Sequence, residues 1–336
     1  MNSTALMALQ LSPDTAEALK ITAIIFVIAV AISIVSLTVV VPYSLFVLFL
    51  KRTSKKKWTR ECSSKDEMQH AMYDVAKEWR QKHIACKRDM HIVNEGLNLY
   101  GEYFDFGNSK AVIIVPGRTE GLIYGYYFAK PYAESGYNVL SVDQRAHGKS
   151  DGKYNSVGFE EYKDVLAWAK LLHEEYGVES VILHGICIGA CCSMFALTSE
   201  GCPDYVDGMV AEGMYPNFRE SFKNHVIAFK QPLYPTLPLI GALIRWHTGA
   251  NIKFGPIDVI EKLKKPLLML HSKEDVFSLP STAQELYDAC GSEEKRLVWF
   301  EKGAHSRLRI TDTERYDSSI SDFLKSLETA QVARRA

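Results

Sequence analysis

The chain has 336 residues, which is room for one large α/β domain and an accessory segment but hardly for two domains of that size. Its 39 Lys and Arg residues balance 40 Asp and Glu residues, so we expect no nucleic-acid partner, which would require a strongly basic face. The hydrophobic share of 47% is ordinary for a globular protein, and the placement of the apolar residues is therefore more informative.

The first predicted element is a transmembrane helix. Residues 21–50 contain no charged side chain, and about 20 helical residues are enough to cross a hydrocarbon core of about 30 Å. Pro42 is expected to kink or end the helix, which leaves residues 21–41 as the span proper. A cleaved signal peptide is the alternative, but Asp14 and Glu17 precede the apolar run and no small-residue cleavage site follows it.

A cluster of basic residues follows the apolar run. By the positive-inside rule such a flank stays in the cytoplasm, so we predict an external amino terminus and a cytoplasmic catalytic domain. Seven cysteines, with Cys191 and Cys192 adjacent, do not suggest a disulfide framework, which agrees with a reducing compartment. If the run is only an anchor, a chain beginning near Ser63 should be soluble and active. The basic residues are Lys51, Arg52, Lys55, Lys56, Lys57 and Arg60.

A polar helix is predicted between the anchor and the catalytic domain. Ser64 and Glu67 have the spacing of a capping box. Apolar residues then recur at helical spacing, which favours packing on the catalytic domain, with a partner-binding helix as the alternative. This apolar stripe consists of Met68, Met72, Val75 and Trp79.

Strands and helices alternate in the rest of the chain. This alternation predicts a mostly parallel sheet with helices on both faces. The predicted strands are 99–104 at an edge, 111–115, 138–142, 181–184, 205–211, 266–271 and 296–300, and the predicted helices are 121–135, 158–176, 187–198, 282–289 and 316–327. The predicted units are a short N-terminal segment 1–20, the anchor 21–50, a basic juxtamembrane segment with the linker helix 51–95, and the catalytic domain 96–330.

One stretch, residues 214–261, interrupts the alternation. It contains five prolines and many bulky apolar residues, and it is too long for a connecting loop without a function of its own. We interpret it as a lid over the active site, and a helical insertion that only packs is the alternative.

The strand at 181–184 leads into Gly185-Ile186-Cys187-Ile188-Gly189 and then a helix. This is the spacing of a nucleophile elbow with cysteine at its centre. Gly185 and Gly189 permit a tight turn between strand and helix, which pushes the Cys187 side chain into the cleft at the positive end of the helix. A thiolate is the reactive form of cysteine, and a helix amino terminus beside an imidazolium favours it.

Two partners for this cysteine follow in the chain. Asp275 comes directly after the strand 266–271, and His305 comes after the strand 296–300. The order nucleophile, acid, histidine is that of an α/β-hydrolase triad, in which the histidine takes the nucleophile's proton and the acid orients the imidazole. Glu212 is the alternative acid, and a redox pair of Cys187 with Cys191 is less favoured than small core residues at both positions.

Residues 96–327 resemble the serine aminopeptidase and monoacylglycerol-lipase-like group of α/β-hydrolases. The resemblance rests on the elbow, on the terminal Gly303-Ala304-His305, and on residues 143–152, which look like that group's Asp-x-Arg-x-His-Gly-x-Ser turn. It implies hydrolysis of an ester, thioester or amide through an acyl-enzyme, without choosing among these substrates. Within that turn His147 is expected to support the loop, and His184 to be a packed strand residue.

The chain departs from this family at two places. Cys187 replaces the usual serine, which gives weight to thioester chemistry and to acyl transfer. Residues 115–121 replace the usual His-Gly loop after the third strand. The required oxyanion donors are backbone N–H groups, and those of Arg118 and Ile188 are at the matching positions. The Arg118 side chain is expected to form a surface salt bridge, or else to meet a carboxylate or phosphate of the substrate.

These features predict a membrane-anchored acyl hydrolase with a small-molecule or lipid-like substrate. We expect no metal and no cofactor, because no His or Cys spacing suggests a metal site and glycine-rich phosphate loops are absent from the sequence. An acyltransferase on the same fold and a catalytically silent interaction protein are the alternatives. The latter would leave Cys187 unlabelled by a thiol-reactive probe.

Overall fold

The N-terminal helix is longer than predicted. The computed structural model describes residues 12–54, 58 and 66–335, and in this part of the chain one helix is long and apolar enough to cross a membrane. It consists of α1 (Pro13–Val35), a π-helical turn (Ser36–Val40) and α2 (Val41–Leu50). Pro42 therefore does not end the helix, because the widened turn before it accommodates a residue without an N–H donor.

The two ends of this helix have different surroundings. No residue of α1 is buried, as expected for a segment whose apolar side chains face lipid. In α2, by contrast, Phe46 is 1% exposed and Leu50 is fully buried, and both belong to the core of the catalytic domain. The C-terminal third of the predicted anchor is thus also part of the folded domain.

The segment after α2 continues along the catalytic domain. The backbone of Arg52 donates to the carbonyl of Lys153, and its guanidinium donates to the carbonyls of Ser150 at 2.7 Å and Gly148 at 2.5 Å. Arg52 therefore holds the juxtamembrane segment against the turn formed by residues 143–152. The other clustered cations from residue 55 onward, and Ser64 of the predicted capping box, lie outside the described residues.

The linker helix α3 (Glu67–Lys82) packs on the domain as predicted, but with a different face. Its N-cap is Asp66, which accepts from the N–H of Met68 at 3.0 Å. The buried residues are Gln69, Met72, Tyr73 and Ala76, whereas Met68 and Val75 of the predicted stripe are exposed. The buried face is rotated because Gln69 and Tyr73 hydrogen-bond to Glu120 of the domain.

An eight-stranded sheet forms the centre of the domain, in the order β1-β2-β4-β3-β5-β6-β7-β8. The first two pairings are antiparallel and the others are parallel, which confirms the predicted fold class. The strands are β1 (Lys87–Asn94), β2 (Leu97–Phe104), β3 (Lys110–Val115), β4 (Asn138–Asp143), β5 (Ser180–Ile186), β6 (Val206–Glu212), β7 (Leu267–Ser272) and β8 (Lys295–Phe300).

The predicted edge strand 99–104 is β2, and it does not lie at the edge. The edge position belongs to β1, whose residues are largely polar and of which only Met90 is buried. An exposed edge strand of this kind has no apolar alternation that would predict it. The predicted domain start at residue 96 falls inside the β1–β2 hairpin.

Helices cover both faces of the sheet, as expected for alternating elements. Successive side chains of β3 point to opposite faces of the sheet. Ile113 accordingly belongs to the core cluster on one face, and Val112 to the core cluster on the other. The predicted helix 121–135 is divided into two, because Pro131 begins a new helix. The remaining helices are α4 (Leu122–Tyr126), α5 (Lys130–Glu134), α6 (Glu161–Tyr176), α7 (Ile188–Thr198), α8 (Phe218–Ala228), α9 (Thr236–Thr248), α10 (Pro280–Ala289), α11 (Leu308–Thr311) and α12 (Thr313–Arg335).

The insertion 214–261 contains α8 and α9, and these two helices contact α2. Phe46 of α2 stacks on His247 of α9, with ring centroids 5.1 Å apart. Phe49 contacts Phe222 within α8 and Phe229 directly after it, with ring centroids 6.2 and 6.0 Å apart. The predicted lid is therefore packed against the end of the candidate membrane helix.

Candidate active site

Cys187 stands between β5 and α7 in a backbone conformation that side chains rarely adopt. Its φ of 56° and ψ of −113° lie outside the regions open to most residues, and such strain costs about 1–3 kcal/mol. The turn is possible only with glycine on both sides. A Cβ on Gly185 would lie 2.3 Å from the carbonyl oxygen of Gly189, and one on Gly189 would lie 2.0 Å from that of Val115. The strained turn holds the thiol at the amino terminus of α7.

Asp275 and His305 come together beside this turn, each after a parallel strand. The Nδ1 of His305 donates to Oδ2 of Asp275 at 2.7 Å. The other carboxylate oxygen accepts the N–H groups of Phe277 and Ser278, both at 2.8 Å. With both oxygens occupied and the side chain almost fully buried, Asp275 has one orientation, and it fixes the tautomer of His305.

The charges of the three groups support one another. Burial would lower the pKa of His305, but Asp275 and Cys187 together raise it well above its ordinary value. Burial alone would raise the pKa of Asp275. The charge and hydrogen bond of His305 outweigh this effect, so the pKa of the Asp275 carboxyl is lowered. The Nε2 of His305 is buried and has no hydrogen bond of ordinary geometry among the described residues, although Cys187 lies near enough to act on the ring. This nitrogen is therefore available to a thiol or a leaving group.

The loop after β3 lies against the elbow. A Cβ on Gly117 would be 4.0 Å from Cβ of Cys187, and the N–H of Glu120 donates to the Gly117 carbonyl at 3.1 Å to close the turn. His147 donates from Nε2 to the carbonyl of Arg118, which is the supporting contact expected of it. Ile188 is the first residue of α7, so its N–H belongs to the unpaired donors of a helix amino terminus.

This arrangement has counterparts among known proteins. The family model for the alpha/beta hydrolase fold matches residues 110–236. The chain is similar to esterase Pf2001 of Pyrococcus furiosus, with 26% identity, a TM-score of 0.61, and coverage of 71% of this chain and 91% of the esterase. The chain therefore has the α/β-hydrolase fold.

Two curated proteins are similar to this chain over somewhat less than two thirds of its length. YqkD of Bacillus subtilis is 28% identical over 219 residues, which are 64% of this chain and 71% of YqkD. Lysophosphatidylserine lipase ABHD12 of Danio rerio is 25% identical over 219 residues, which are 62% of this chain and 56% of ABHD12. The chain thus spans little more than half the length of the lipase.

A cavity of about 240 Å³ opens beside the thiol of the hydrolase. Cys187 and His305 lie in its wall together with Arg118. A larger groove of about 610 Å³ lies between α8 and α9 and contains none of these residues, so we assign the active site to the smaller cavity. The other residues of its wall are Gln69, Gly117, Thr119, Glu120, Tyr124, Ile186, His225, Phe277, Ser306 and Arg307.

Several of these wall residues were not predicted from the sequence. His225 comes from α8 of the lid, stacks on Phe277 at 4.1 Å, and has its pKa lowered to about 4 by burial. Gln69 comes from the linker helix. Neither belongs to a motif, and the amphipathic spacing of their helices is the one signal that could have indicated a buried position.

The remaining candidates have structural surroundings. Glu212, the alternative acid, accepts from the hydroxyl of Tyr316 at 2.6 Å and from the N–H of Leu308 at 3.4 Å, so it supports the segment after His305 instead of its ring. Burial raises the pKa of Glu212 and of the Cys191 thiol, which disfavours a charged acid and a reactive second thiol. His184 is a fully buried strand residue, as predicted.

Proposed function

We propose that this chain is a membrane-anchored acyl hydrolase that uses Cys187 as nucleophile, His305 as general base and acid, and Asp275 as the group that orients the histidine. The observation that supports this most strongly is the strained backbone of Cys187 at the amino terminus of α7, beside His305. The Nδ1 of His305 is hydrogen-bonded to Asp275, and its Nε2 has no hydrogen-bond partner among the described residues. A histidine held in this way is suited to proton transfer at Nε2.

The proposed reaction has two steps. The sulfur of Cys187 attacks the acyl carbon while His305 holds the thiol proton, and the N–H groups of Arg118 and Ile188 stabilise the oxyanion. His305 then gives that proton to the leaving alcohol, thiol or amine, and a thioester acyl-enzyme remains. A water molecule deprotonated by His305 attacks this thioester, which releases the carboxylic acid and returns the proton to Cys187.

The lid connects the active-site cavity to the candidate membrane helix. The lid contributes His225 to the cavity wall, and its helices pack against α2, the end of the candidate membrane helix. A substrate held in or near a bilayer would reach the cavity at this point. The similarity to a lipase and to an esterase supports an ester substrate with a lipid-like acyl chain.

A substrate panel tests this proposal. The full chain, purified in detergent, is expected to hydrolyse ester or thioester members of a panel that also includes aminoacyl amides, and prior alkylation with iodoacetamide is expected to stop the reaction. Added alcohols or amines reveal an acyltransferase if acyl transfer to them exceeds hydrolysis. Absence of turnover on every class, together with an unlabelled Cys187, would identify a catalytically silent protein.

The basic flank of the anchor supports a cytoplasmic catalytic domain. A reporter that is active only outside the cytoplasmic membrane, fused after Ala336, is therefore expected to give no signal. The same reporter fused before Met1 is the control and is expected to be active. A strong signal from the C-terminal fusion would reverse the orientation and would remove the argument for reduced thiols.

A further inference from the structure

Arg118 lies in the wall of the active-site cavity, and its guanidinium has no acidic partner among the described residues. Among the ion pairs of the described residues none involves Arg118, so the predicted surface salt bridge is not formed there. Its side chain instead rests on the ring of Phe49, 4.7 Å from the centroid, and donates one long hydrogen bond of 3.5 Å to the Phe49 carbonyl. A guanidinium has five donors, so most of its hydrogen-bonding capacity is unused.

A second polar group near Arg118 is also unsatisfied. The hydroxyl of Tyr215 is buried and has no hydrogen-bond partner in the part of the chain that the structure describes. Burial raises the pKa of Tyr215. The thiols of Cys191, Cys187 and Cys192 raise this pKa further, and Arg118 acts in the opposite direction. Arg118 lies in the cavity wall with the thiol, whereas Tyr215 does not line the cavity. Buried polar groups without a partner are rare in native proteins, and a bound ligand, ion or water molecule is one way to satisfy them.

The other charged groups of the cavity are occupied elsewhere. Arg307 is paired with Asp66 at 3.1 Å. Glu120 accepts from Tyr73 and Gln69, and burial raises its pKa, which disfavours the negative charge that could have neutralised Arg118. Among the described residues of the cavity wall, Arg118 is therefore the cation whose charge has no acidic partner.

We propose that Arg118 binds a carboxylate or phosphate that the acyl substrate carries close to its scissile bond. This inference deepens the proposed acyl hydrolysis by naming a substrate class, namely anionic acyl compounds. Arg118 binds both oxygens of such a group with its planar fork, which a lysine cannot do. The backbone N–H of the same residue stabilises the oxyanion, so one loop both positions the substrate and activates it.

Alkylation of Cys187 tests this inference without requiring hydrolysis. Iodoacetate and iodoacetamide attack the same thiol and differ in that iodoacetate carries a carboxylate. The full chain is treated with each reagent, and the rate at Cys187 is measured by mass spectrometry of its peptide. Arg118→Gln is expected to lower the rate ratio of iodoacetate to iodoacetamide roughly tenfold, because it removes a charge-assisted hydrogen bond. Arg118→Lys should retain part of the ratio.

The ratio separates anion binding from a general effect on the thiol. If Arg118 only stabilised the thiolate, Arg118→Gln would slow both reagents equally and leave the ratio unchanged, which would overturn the inference. Arg307→Gln is the matched control, since it removes a cavity arginine that already has a partner. An equal fall in that variant, or a thiol that reacts with neither reagent, would also count against a specific site. Absence of acyl hydrolysis would refute the proposed function, but the ratio of alkylation rates at Cys187 could still be measured.

Kinetics then locate the anion on the substrate. One pair of esters differs by a carboxylate at the end of the acyl group, as in p-nitrophenyl hemisuccinate and p-nitrophenyl valerate. A second pair differs by a phosphate on the alcohol, as in lysophosphatidate and the monoacylglycerol of the same chain length. The pair in which Arg118→Gln lowers the ratio of kcat/KM, chiefly through KM, identifies the position. No change of the ratio in either pair would contradict the proposed substrate class.

Discussion

Cys187→Ala is expected to abolish covalent labelling of the site and to reduce turnover by at least about 10⁴-fold, as removal of a nucleophile does in other triads. The fold should be retained, because alanine is small and the strained turn depends on the flanking glycines Gly185 and Gly189. Turnover and labelling of the full chain are measured on a substrate that the wild type hydrolyses. Cys191→Ala is the matched control, since that thiol is buried one helical turn further on and should leave both readouts unchanged.

Cys187→Ser distinguishes two kinds of site. A hydroxyl cannot ionise as a thiol does and depends on His305 to remove its proton during attack. The 2.7 Å contact between His305 and Asp275, and the loop of Arg118 beside the elbow, are arranged as a serine hydrolase would need them. We therefore expect the serine variant to keep measurable ester hydrolysis at a reduced rate. A nearly inactive variant would instead indicate a site adapted to a thiolate–imidazolium pair, with thioester turnover most affected. Full activity in Cys187→Ala would remove this residue from the mechanism.

The elements nearest the site were predictable because their signals are local. Cys187, Asp275 and His305 each follow a strand of the parallel part of the sheet, and the carboxyl ends of such strands meet at one edge. The steric need for Gly185 and Gly189 is likewise contained within five residues of sequence. Such short-range constraints do not depend on how distant elements pack, and they could be read before the fold was known.

The features that were missed depend on contacts between distant parts of the chain. Nothing in the spacing of α3 indicates that Gln69 hydrogen-bonds to Glu120 in the cavity wall, because that pairing exists only in the folded domain. The polar strand β1 is held by backbone pairing with β2, which leaves no apolar pattern in its side chains. The most important case is the apolar run 21–50. Its composition is uniform, but its first part is exposed in α1 and its last part packs in the core of the folded domain. Apolar residues that face lipid and apolar residues that face a protein core have the same signature in a sequence.

Because of that second environment, a chain that begins at residue 63 is expected to fold poorly, contrary to what a simple anchor would allow. Removal of α2 would uncover the partners of Phe46 and Leu50, which are almost fully buried against the catalytic domain and the lid. Burial of one such side chain contributes about 1.5–3 kcal/mol, so losing both is comparable to much of the net stability of a domain, about 5–15 kcal/mol. Arg52, which fastens the juxtamembrane segment to the carbonyls of Ser150 and Gly148, would be lost as well.

Point variants of the full chain isolate this contribution from the loss of the membrane span. Leu50→Ala and Phe46→Ala should each lower the free energy of unfolding by about 2–5 kcal/mol, visible as a lower Tm of the detergent-solubilised protein. Leu48→Ala is the matched control on the same helix, because Leu48 is 55% exposed and its truncation removes no core contact. Phe49→Ala should in addition free the guanidinium of Arg118 from its ring contact and so alter the alkylation ratio at Cys187. A chain beginning at residue 63 with the Tm and activity of the full chain would show that α2 only anchors the enzyme. A lower Tm in Phe46→Ala, Leu50→Ala and the truncated chain, but not in Leu48→Ala, would show that the end of the candidate membrane helix is a structural part of the folded domain.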